Sequence, residues 1–291
     1  MTSHDVVVRA RRALRIRQIG HFGTLDPFAT GVLPLSVGKA TRFAQFYLKS
    51  RKSYEGTLRF GVATDTYDAS GRPTSEPSGV TLDRSRLETV FGQFTGQLMQ
   101  VPPPFSAKRV GGVRAYDLAR QQKPVELKPV EVEIYALELL DFDGERARFA
   151  VECSGGTYVR SLAHDIGKAV GSGAYLESLR RKSVAEFGLG QALTLEQLES
   201  LAGAAPTPTN LPLVPLEALL PDCLALMVRG REETSVRHGR KFEFAPAIGL
   251  AAGTIGATPI RLLKILNGER RLIAIARHVS GSIYHPDVVL V

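Results

Sequence analysis

Asp26 is an acidic side chain whose surroundings could aim a carboxylate at a substrate. It lies in the run GHFGTLDPFATGVLP, residues 20–34, where three glycines interrupt an apolar segment and Pro27 follows the acid directly. Glycine permits backbone conformations that other residues avoid, and proline disfavours the helical region for the residue before it. The run therefore predicts a stiff, irregular loop that holds one carboxylate in place. An ordinary turn aspartate beside a proline is the alternative interpretation.

The run from Gly20 to Leu33 resembles the active-site motif of the TruB-type tRNA pseudouridine synthases. Members of that family isomerise the uridine at position 55, in the T-loop of tRNA, to pseudouridine. The resemblance implies that Asp26 acts as a nucleophile or as the base that starts glycal formation, and it leaves the choice between those routes open. Phe22 departs from the small or polar residue expected at its position, which predicts altered packing against His21.

Two further catalytic residues follow from the same resemblance. Arg160, in the sequence Thr157-Tyr158-Val159-Arg160, matches the family arginine that pairs with the catalytic carboxylate. A buried aspartate tends to take up a proton, and a guanidinium that stays charged opposes this. Tyr54 matches the tyrosine that stacks on the target base once the base has left the RNA stack, a contact worth about 1–3 kcal/mol. By residue type alone, Arg160 could form a local surface pair and Tyr54 could pack in a sheet.

The resemblance also assigns five residues to substrate binding. They would hold the flipped-out nucleotide, line its pocket or meet the RNA, and they are His21, Tyr158, Asp68, Leu179 and Lys108. Several have plainer interpretations, because a lone histidine is often structural, an aspartate in a Ser- and Thr-rich segment is often a turn residue, and a lysine is often a surface charge. The spacing around Leu179 is also that of an ordinary core leucine on a helix.

Isomerisation of uridine needs no redox chemistry. It breaks the N1–C1′ glycosidic bond, turns the base and forms a C5–C1′ bond, so the resemblance implies neither a cofactor nor a metal. The sequence agrees, since it has no dinucleotide fingerprint, no Walker loop and no clustered His and Cys ligands. A hydrolase triad fits poorly, because His164 and Asp165 are adjacent on one predicted helix and cannot both face Ser154. A glycosidase would need a second acid in a comparable motif.

The composition is that of a basic globular protein with a large core. Hydrophobic residues make up 44% of the 291 residues, the formal charge is +8 and the isoelectric point is about 9.6. Lys and Arg bind polyphosphates by displacing counterions, so the excess fits a polyphosphate ligand, with a merely basic protein as the alternative. The resemblance implies that this partner is tRNA, bound through its T-arm. Cys153 and Cys223 lack metal-binding spacing, which predicts reduced thiols in a cytoplasmic protein. No segment suits a signal peptide or a membrane span, and we expect a monomer without an obligate protein partner.

Apolar spacing predicts the elements that would carry these residues. An amphipathic helix spans 3–17 with Ser3 as its N-cap, and a strand spans 52–61. The clearest hairpin pairs 130–142 with 145–153. Further helices are predicted over 40–48, over 83–98, from Thr157 to a stop at Gly171, over 173–181, after the capping box Thr194–Gln197, and near 232–238. Met1 stands directly ahead of the first helix, where the family usually has a strand and loop with a Lys-Pro. Either the start codon is placed late or this protein lacks that segment.

Together these elements indicate an α+β protein with the mainly antiparallel central sheet of the pseudouridine synthase fold. We expect a catalytic domain over 1–203, a Pro-rich linker over 204–213, and a small β domain over 214–291 that resembles a PUA-type RNA-binding domain. Two alternatives share this scaffold. One is a guide-RNA-dependent, dyskerin-type synthase that needs partner proteins, and the other is a non-catalytic RNA-binding or RNA-folding protein.

Overall fold

The computed structural model describes residues 1–74, 76–79, 81–106, 108–110, 112–115, 121, 127–203, 211–244 and 261–290. The chain divides into two compact units. The first comprises Met1–Ser36 with Ala44–Ser200, and the second comprises Val37–Phe43 with Leu201–Val291. The domain limits expected from the sequence stay predictions, and most of the linker over 204–213 lies outside the described residues.

A seven-stranded sheet forms the frame of the first unit. In its long strands buried and exposed side chains alternate, because successive residues of a strand point to opposite faces. The strands up to residue 188 are β1 (Ile19–His21), β2 (Thr30–Gly31), β3 (Leu35–Val37), β4 (Lys52–Phe60), β5 (Gly96–Gln100), β6 (Arg109–Val110), β7 (Val113–Arg114), β8 (Val130–Phe142), β9 (Arg146–Cys153), β10 (Ala174–Val184) and β11 (Phe187–Gly188).

The large sheet is almost entirely antiparallel. Its strand order is β11-β10-β4-β9-β8-β5, and β2 adds to β10 as the one parallel pair in this sheet of described strands. The expected hairpin is β8 with β9, and it is confirmed. Two small ribbons, β1 with β3 and β6 with β7, complete the strand pairing up to residue 188. The mainly antiparallel α+β fold predicted from the sequence is therefore confirmed.

Two helices cover one face of the sheet and close the core. Leu87 and Phe91 from the first of them and Leu162 and Ile166 from the second join Phe149 of β9 in a single buried cluster. Burial of such side chains, at roughly 25 cal/mol per Å² of apolar surface, holds each amphipathic helix on the sheet. Among the described residues up to 203, the α-helices are α1 (Ser3–Leu14), α2 (Ala44–Tyr47), α3 (Arg84–Gln93), α4 (Val159–Val170) and α5 (Leu195–Gly203).

The start of α1 differs from the sequence prediction. Thr2, not Ser3, is the N-cap, because Thr2 and Asp5 form a reciprocal capping box. Ser3 is buried instead, and its hydroxyl binds both the N–H and the carbonyl oxygen of Leu25, at 2.9 and 3.1 Å. The helix ends at Leu14 rather than at residue 17, since Arg15 adopts a left-handed backbone with φ 54°. The predicted Ser3 cap is therefore wrong, and Ser3 binds the loop that carries Asp26.

The other helices depart from prediction mainly at their ends. Residues predicted as one helix over 83–98 form α3 and then β5, and Asp83 caps α3. The segment predicted over 40–48 begins as a 3₁₀ helix, Gly38–Phe43, which leads into α2. The helices α4 and α5 lie where the sequence predicts them, and Gly171 ends α4 with φ 78°.

The helix predicted over 173–181 is wrong, because these residues belong to β10. This strand pairs with β4 along its whole length, with a bulge between Leu176 and Ser178. The bulge shifts the two-residue period by one position, so Leu176 and Leu179 face the same side although they are three apart. Three-residue spacing of buried leucines imitates a helix in the sequence, which explains the error.

The second unit is a small β structure with its own core. Its strands follow the order β12-β14-β15-β16-β13, with β12 and β14 parallel and the other pairs antiparallel. Val236, Leu263, Ile265 and Tyr284 are buried together between its sheet and helix. This matches the expected PUA-like module and its helix near 232–238. The elements are β12 (Leu224–Met227), α6 (Gly230–Arg237), β13 (Phe242–Glu243), β14 (Leu262–Leu266), β15 (Leu272–Ser280) and β16 (Ile283–Val289).

Two further sequence expectations concern the thiols and the membrane. Cys153 is buried and Cys223 is partly buried, and neither belongs to a disulfide. Burial raises the pKa of Cys153 to about 11, so its thiol is protonated at neutral pH. None of the described helices has the length and apolar character that a bilayer crossing requires.

Candidate active site

Asp26 lies in the segment of residues 22–34 that joins β1 to β3 and includes β2, which we call the Asp26 loop. Arg160 reaches Asp26 from the second residue of α4. The guanidinium donates to both carboxylate oxygens, from Nη2 to Oδ1 at 2.9 Å and from Nε to Oδ2 at 3.0 Å. Two parallel charge-assisted hydrogen bonds fix direction as well as distance. The side chain of Arg160 is 6% exposed and that of Asp26 is 31% exposed. The pair therefore presents a carboxylate to solvent and keeps its counter-charge buried behind it.

Two backbone carbonyl oxygens and a second carboxylate also surround the guanidinium of Arg160. Nη1 donates to the carbonyl oxygen of Thr66 at 3.2 Å, and Nη2 donates to that of Phe105 at 3.1 Å. Nη1 also lies 3.7 Å from Oδ2 of Asp68. A planar guanidinium with partners on every side has one orientation available, so it holds the Asp26 carboxylate in one place.

Asp68 lies behind Arg160 and is itself buried, with 7% of its side chain exposed. Its Oδ1 accepts hydrogen bonds from the Thr66 hydroxyl at 2.8 Å, from the Ser70 N–H at 2.9 Å and from the Ser70 hydroxyl. This is an Asx-turn arrangement in which the carboxylate organises its own loop. From this position Asp68 can orient the guanidinium of Arg160. A contact between Asp68 and the substrate stays a prediction.

Tyr67 fastens the Asp68 loop to α4. Its backbone is left-handed, with φ 63°, and its ring stacks on that of His164 with centroids 3.8 Å apart and planes at 9°. Burial, with a smaller contribution from the Lys168 charge, lowers the pKa of His164 to about 4. The imidazole is therefore neutral at physiological pH and serves as a flat apolar support for the loop.

Tyr54 lies on β4 directly opposite Arg181 of β10 and is 8% exposed. Burial raises the pKa of its phenol to about 12, although the Arg181 guanidinium beside the hydroxyl acts in the opposite direction. The phenol is therefore neutral and can donate or accept a hydrogen bond. Phe28 and Ala29, which follow Asp26, pack against the core cluster that contains Tyr54. Stacking of a base on this ring stays a prediction, since little of the ring reaches the surface.

Tyr158 is the N-cap of α4, and its backbone is held by a side chain from β5. Gln100 accepts a hydrogen bond from the Tyr158 N–H at 2.8 Å and donates one to the Tyr158 carbonyl at 3.1 Å. Gln100 is 4% exposed, so both bonds are shielded from water. Burial also raises the pKa of the Tyr158 phenol. The amide of Gln100 thus fixes the start of the helix that carries Arg160.

His21 ends β1 and leads into the Asp26 loop. Its Nδ1 accepts a hydrogen bond from the Gly23 N–H at 3.3 Å, which leaves the proton of the neutral ring on Nε2. Burial, together with the charges of Arg181 and His4, lowers its pKa. A neutral histidine with an Nε2–H donor suits the predicted role of holding a nucleotide.

Leu179 lines an open cleft of about 370 Å³ on the sheet surface beside the Asp26 loop. Phe28 and Thr30 of that loop and Ala69 of the Asp68 loop form one side of the cleft, and Gly56 of β4 forms part of the other. Charged side chains complete the lining, namely Glu55, Arg148, Glu177 and Arg180. The mixture of apolar and charged groups suits a nucleoside with its phosphates.

Lys108 precedes β6 and has a partly buried side chain. Its carbonyl oxygen accepts a hydrogen bond from the Ala115 N–H at 2.7 Å. In the sequence Lys108 follows Phe105 by three positions, and the carbonyl oxygen of Phe105 accepts a hydrogen bond from Arg160. Much of the loop and helix expected to lean over RNA after Lys108 lies outside the described residues.

Two residues at the site were not predicted from the sequence. Arg181 is completely buried beneath the Asp26 loop and donates to three of its carbonyl oxygens. The burial of Arg181 was not predicted because the spacing over 173–181 indicates a helix, on which Arg181 would be a surface charge. Gln100 gave no signal, because a single amide in a strand has no pattern to mark it.

The chemistry available here is that of one oriented carboxylate. Asp68 is the nearest second acid with a described contact, and it is buried behind Arg160 rather than placed across a cleft from Asp26. Among the described residues, no group of three His, Cys, Asp or Glu side chains could hold a metal ion. Asp26 can therefore serve as a nucleophile or a general base toward a bound ligand.

Comparison with solved structures identifies the fold. The chain superposes on one from an H/ACA ribonucleoprotein bound to a substrate RNA containing 2′-deoxyuridine, with a TM-score of 0.72 and 22% identity, covering 100% of this chain and 82% of that one. A chain of the archaeal box H/ACA Nop10–Cbf5 complex gives a TM-score of 0.69 at 22% identity, with coverages of 99% and 82%. At this identity the likeness shows the fold alone.

Sequence comparison is more specific. The tRNA pseudouridine synthase B of Solibacter usitatus is 46% identical over 289 residues, covering 99% of this chain and 96% of that protein. The enzyme of the same name from Aquifex aeolicus is 46% identical over 224 residues, with coverages of 76% and 77%. The model of the TruB family pseudouridylate synthase N-terminal domain matches residues 11–159, and that of the tRNA pseudouridylate synthase B C-terminal domain matches residues 160–221. The chain that holds Asp26 against Arg160 therefore belongs to the TruB family of pseudouridylate synthases.

Proposed function

We propose that this protein isomerises a uridine of tRNA to pseudouridine, with Asp26 as the reacting carboxylate. The observation that carries the proposal is the bidentate pair of Asp26 with Arg160, in which the acid is partly exposed and the arginine is buried. Membership of the TruB family and long matches to tRNA pseudouridine synthases support the substrate class.

The geometry supports a reaction that begins at the ribose. An ionised carboxylate near C1′ can add to it as the glycosidic bond breaks, or it can remove a proton so that a glycal forms. Both routes end when C5 of the turned base bonds to C1′, as the bond from Asp26 to C1′ breaks in the first route or the proton returns to the sugar in the second. C5 then loses its proton and N1 takes one up, so atoms and electrons balance without a redox partner. Arg160 keeps its charge in either route, and its fixed partners hold the carboxylate at one position.

The cleft beside the Asp26 loop is the proposed place for the flipped-out uridine. Leu179 and Phe28 would contact the base, and Tyr54 lies in the same core cluster below them. His21 and Tyr158 stand at the ends of segments that lead to Asp26 and Arg160, and we propose that they contact the nucleotide. Lys108 and the overall charge of +8 would attract phosphates.

We further propose that the target is position 55 in the T-arm and that the chain acts in the cytoplasm as a monomer, without partner proteins or cofactor. A guide-RNA-dependent activity is the second candidate, because the superposed chains belong to H/ACA particles. The much higher identity to tRNA pseudouridine synthases favours the stand-alone enzyme.

The test is incubation of the purified chain with an unmodified tRNA transcript, followed by chemical mapping of pseudouridine. We expect one modified position, in the T-loop, with no added protein or guide RNA. Asp26→Asn should abolish the reaction and leave tRNA binding intact, while Asp141→Asn, an exposed acid on β8, should retain activity.

Three outcomes would contradict the proposal. Modification that appears only when guide RNA and partner proteins are present favours the second candidate. Binding of tRNA without any isomerisation by the wild-type chain favours a non-catalytic RNA-binding protein. Full activity of Asp26→Asn removes this carboxylate from the reaction.

A further inference from the structure

Arg181 combines complete burial with a full set of loop acceptors. Its side chain is 0% exposed. Nε donates to the Val32 carbonyl at 2.7 Å, Nη1 to that of Thr24 at 2.9 Å and Nη2 to that of Gly23 at 3.1 Å. Burying a guanidinium is costly unless its donors are satisfied, so the arginine and these carbonyl oxygens depend on one another.

The three carbonyls lie on both sides of Asp26. Apart from the short pairing of β2 with β10, this loop lacks ladder partners for its backbone groups, which must be satisfied in some other way. Arg181 supplies donors before and after the acid, and Ser3 binds the backbone of Leu25 between them. The backbone from residue 23 to residue 32 is thereby attached to a side chain of the central sheet rather than left to bend freely.

The main chain of Arg181 binds the same loop. Its carbonyl oxygen accepts a hydrogen bond from the Val32 N–H at 2.9 Å, and Gly31 lies opposite it in the parallel pairing of β2 with β10. A Cβ atom at Gly31 would come within 2.1 Å of that oxygen, so the close approach requires glycine there. Val32 is therefore held at both its N–H and its carbonyl by one residue.

Arg181 also reaches Tyr54. The two residues are directly opposite in the pairing of β4 with β10, and the guanidinium lies beside the phenol hydroxyl. One buried cation thus contacts the loop that carries Asp26 and the tyrosine proposed to meet the base. Lysine could not reproduce this, because an ammonium is a compact point donor and lacks the planar fork.

We propose that Arg181 is a positioning residue for the isomerisation, fixing the Asp26 loop and Tyr54 relative to each other. This inference rests on the proposed function for its link to catalysis. It predicts a defect in the chemical step and not in tRNA binding, because Arg181 lies beneath the loop and does not reach the surface.

The first experiment measures Arg181→Lys against wild type, with Arg84→Lys as the matched control. Arg84 pairs with Glu88 on α3 and donates to the Leu139 carbonyl, away from Asp26. At saturating tRNA we expect the single-turnover rate of Arg181→Lys to fall roughly ten-fold or more, since small misplacement of reacting groups has large effects. The tRNA dissociation constant should stay at the wild-type value, and Arg84→Lys should match wild type in both.

A purely structural role gives a different result. Arg181→Lys would then unfold more easily, but the rate per tRNA-binding molecule would equal that of wild type, which would overturn the proposal. If the variant does not fold, amide hydrogen exchange of the wild-type protein still tests whether the Asp26 loop is held in place. We expect the peptide covering residues 20–33 to exchange as slowly as β4 and β10.

Rapid exchange of that peptide while β4 and β10 stay protected would show that the loop is not clamped and would refute the inference. The exchange measurement needs no activity, so it separates failure of this inference from failure of the proposed function. A wild-type chain that is inactive on tRNA but has a protected loop would refute only the proposed function.

Discussion

Gln100→Glu is a nearly isosteric change that should disturb the start of α4. The glutamine accepts from the Tyr158 N–H and donates to the Tyr158 carbonyl, and both groups are shielded from water. A glutamate keeps the acceptor but replaces the donating amide nitrogen with a second oxygen. Two acceptors would then face each other at about the present 3.1 Å separation of nitrogen and oxygen.

The expected loss of stability has two contributions. A buried polar group that loses its partner costs about 1–3 kcal/mol, and an ionised carboxylate with 4% exposure adds a desolvation penalty. The Tyr158 carbonyl still accepts a hydrogen bond from the Leu162 N–H at 3.1 Å, which limits the first contribution. We therefore expect the free energy of unfolding to fall by about 2 kcal/mol or more at pH 7. Protonation of the introduced carboxyl restores a donor, so the loss should shrink below about pH 5.

Urea unfolding at pH 7 and at about pH 4 measures both effects. Gln97→Glu is the matched control, because Gln97 is an exposed residue of the same strand, and its free energy of unfolding should stay within about 0.5 kcal/mol of wild type. The isomerisation rate should fall in Gln100→Glu, since the displaced helix start carries Arg160. Equal stability of the two variants at pH 7 would refute the reasoning that Gln100 fixes α4.

Three further changes test other parts of the first unit. Gly167→Ala on α4 should lower the free energy of unfolding although alanine favours helices, because the new Cβ would lie 2.2 Å from the Ala174 nitrogen. Gly92→Ala on α3 has open space around the new Cβ, so it should raise the free energy of unfolding by up to about 1 kcal/mol. Urea unfolding measures both. Arg160→Lys should lower the isomerisation rate about 100-fold at unchanged tRNA affinity, because an ammonium cannot form the bidentate pair, and a wild-type rate would contradict this. His164 has a folded pKa of about 4 against an ordinary 6.5, so the unfolded chain binds the proton more readily and stability should fall as pH drops from about 6.5 toward 4. His164→Gln should flatten that part of the curve of unfolding free energy against pH, and an unchanged slope would contradict the assignment.

The sequence was informative where a residue type and a motif coincide. Asp26 and Arg160 are distant in sequence, yet each stands in a run specific enough for the family resemblance to predict their pairing, and they do form a bidentate pair. The hairpin of β8 and β9 was predictable because alternation there continues over long strands around a tight turn. These are features in which one short-range rule dominates.

Features that depend on tertiary packing were not predictable. The bulge in β10 gives this strand a leucine spacing typical of a helix, so the sequence predicted a helix there. For the same reason the burial of Arg181 was not predicted. Thr2 and Ser3 are both good caps by type, and only the contact of Ser3 with Leu25 separates their roles. Gln100 acts through two hydrogen bonds to a residue 58 positions away, and no local pattern encodes such a contact.

The place of β10 in the sheet has a consequence for synthesis on the ribosome. This strand forms one neighbour of β4 and also brings Arg181, but it is translated long after β4. Until it emerges, one edge of β4 has unpaired backbone groups, which are open to pairing with other chains. The nascent chain therefore passes through a long interval in which β4 is prone to pair with other chains and the Asp26 loop lacks Arg181. Synthesis of β10 covers the edge of β4 and supplies Arg181 at the same time.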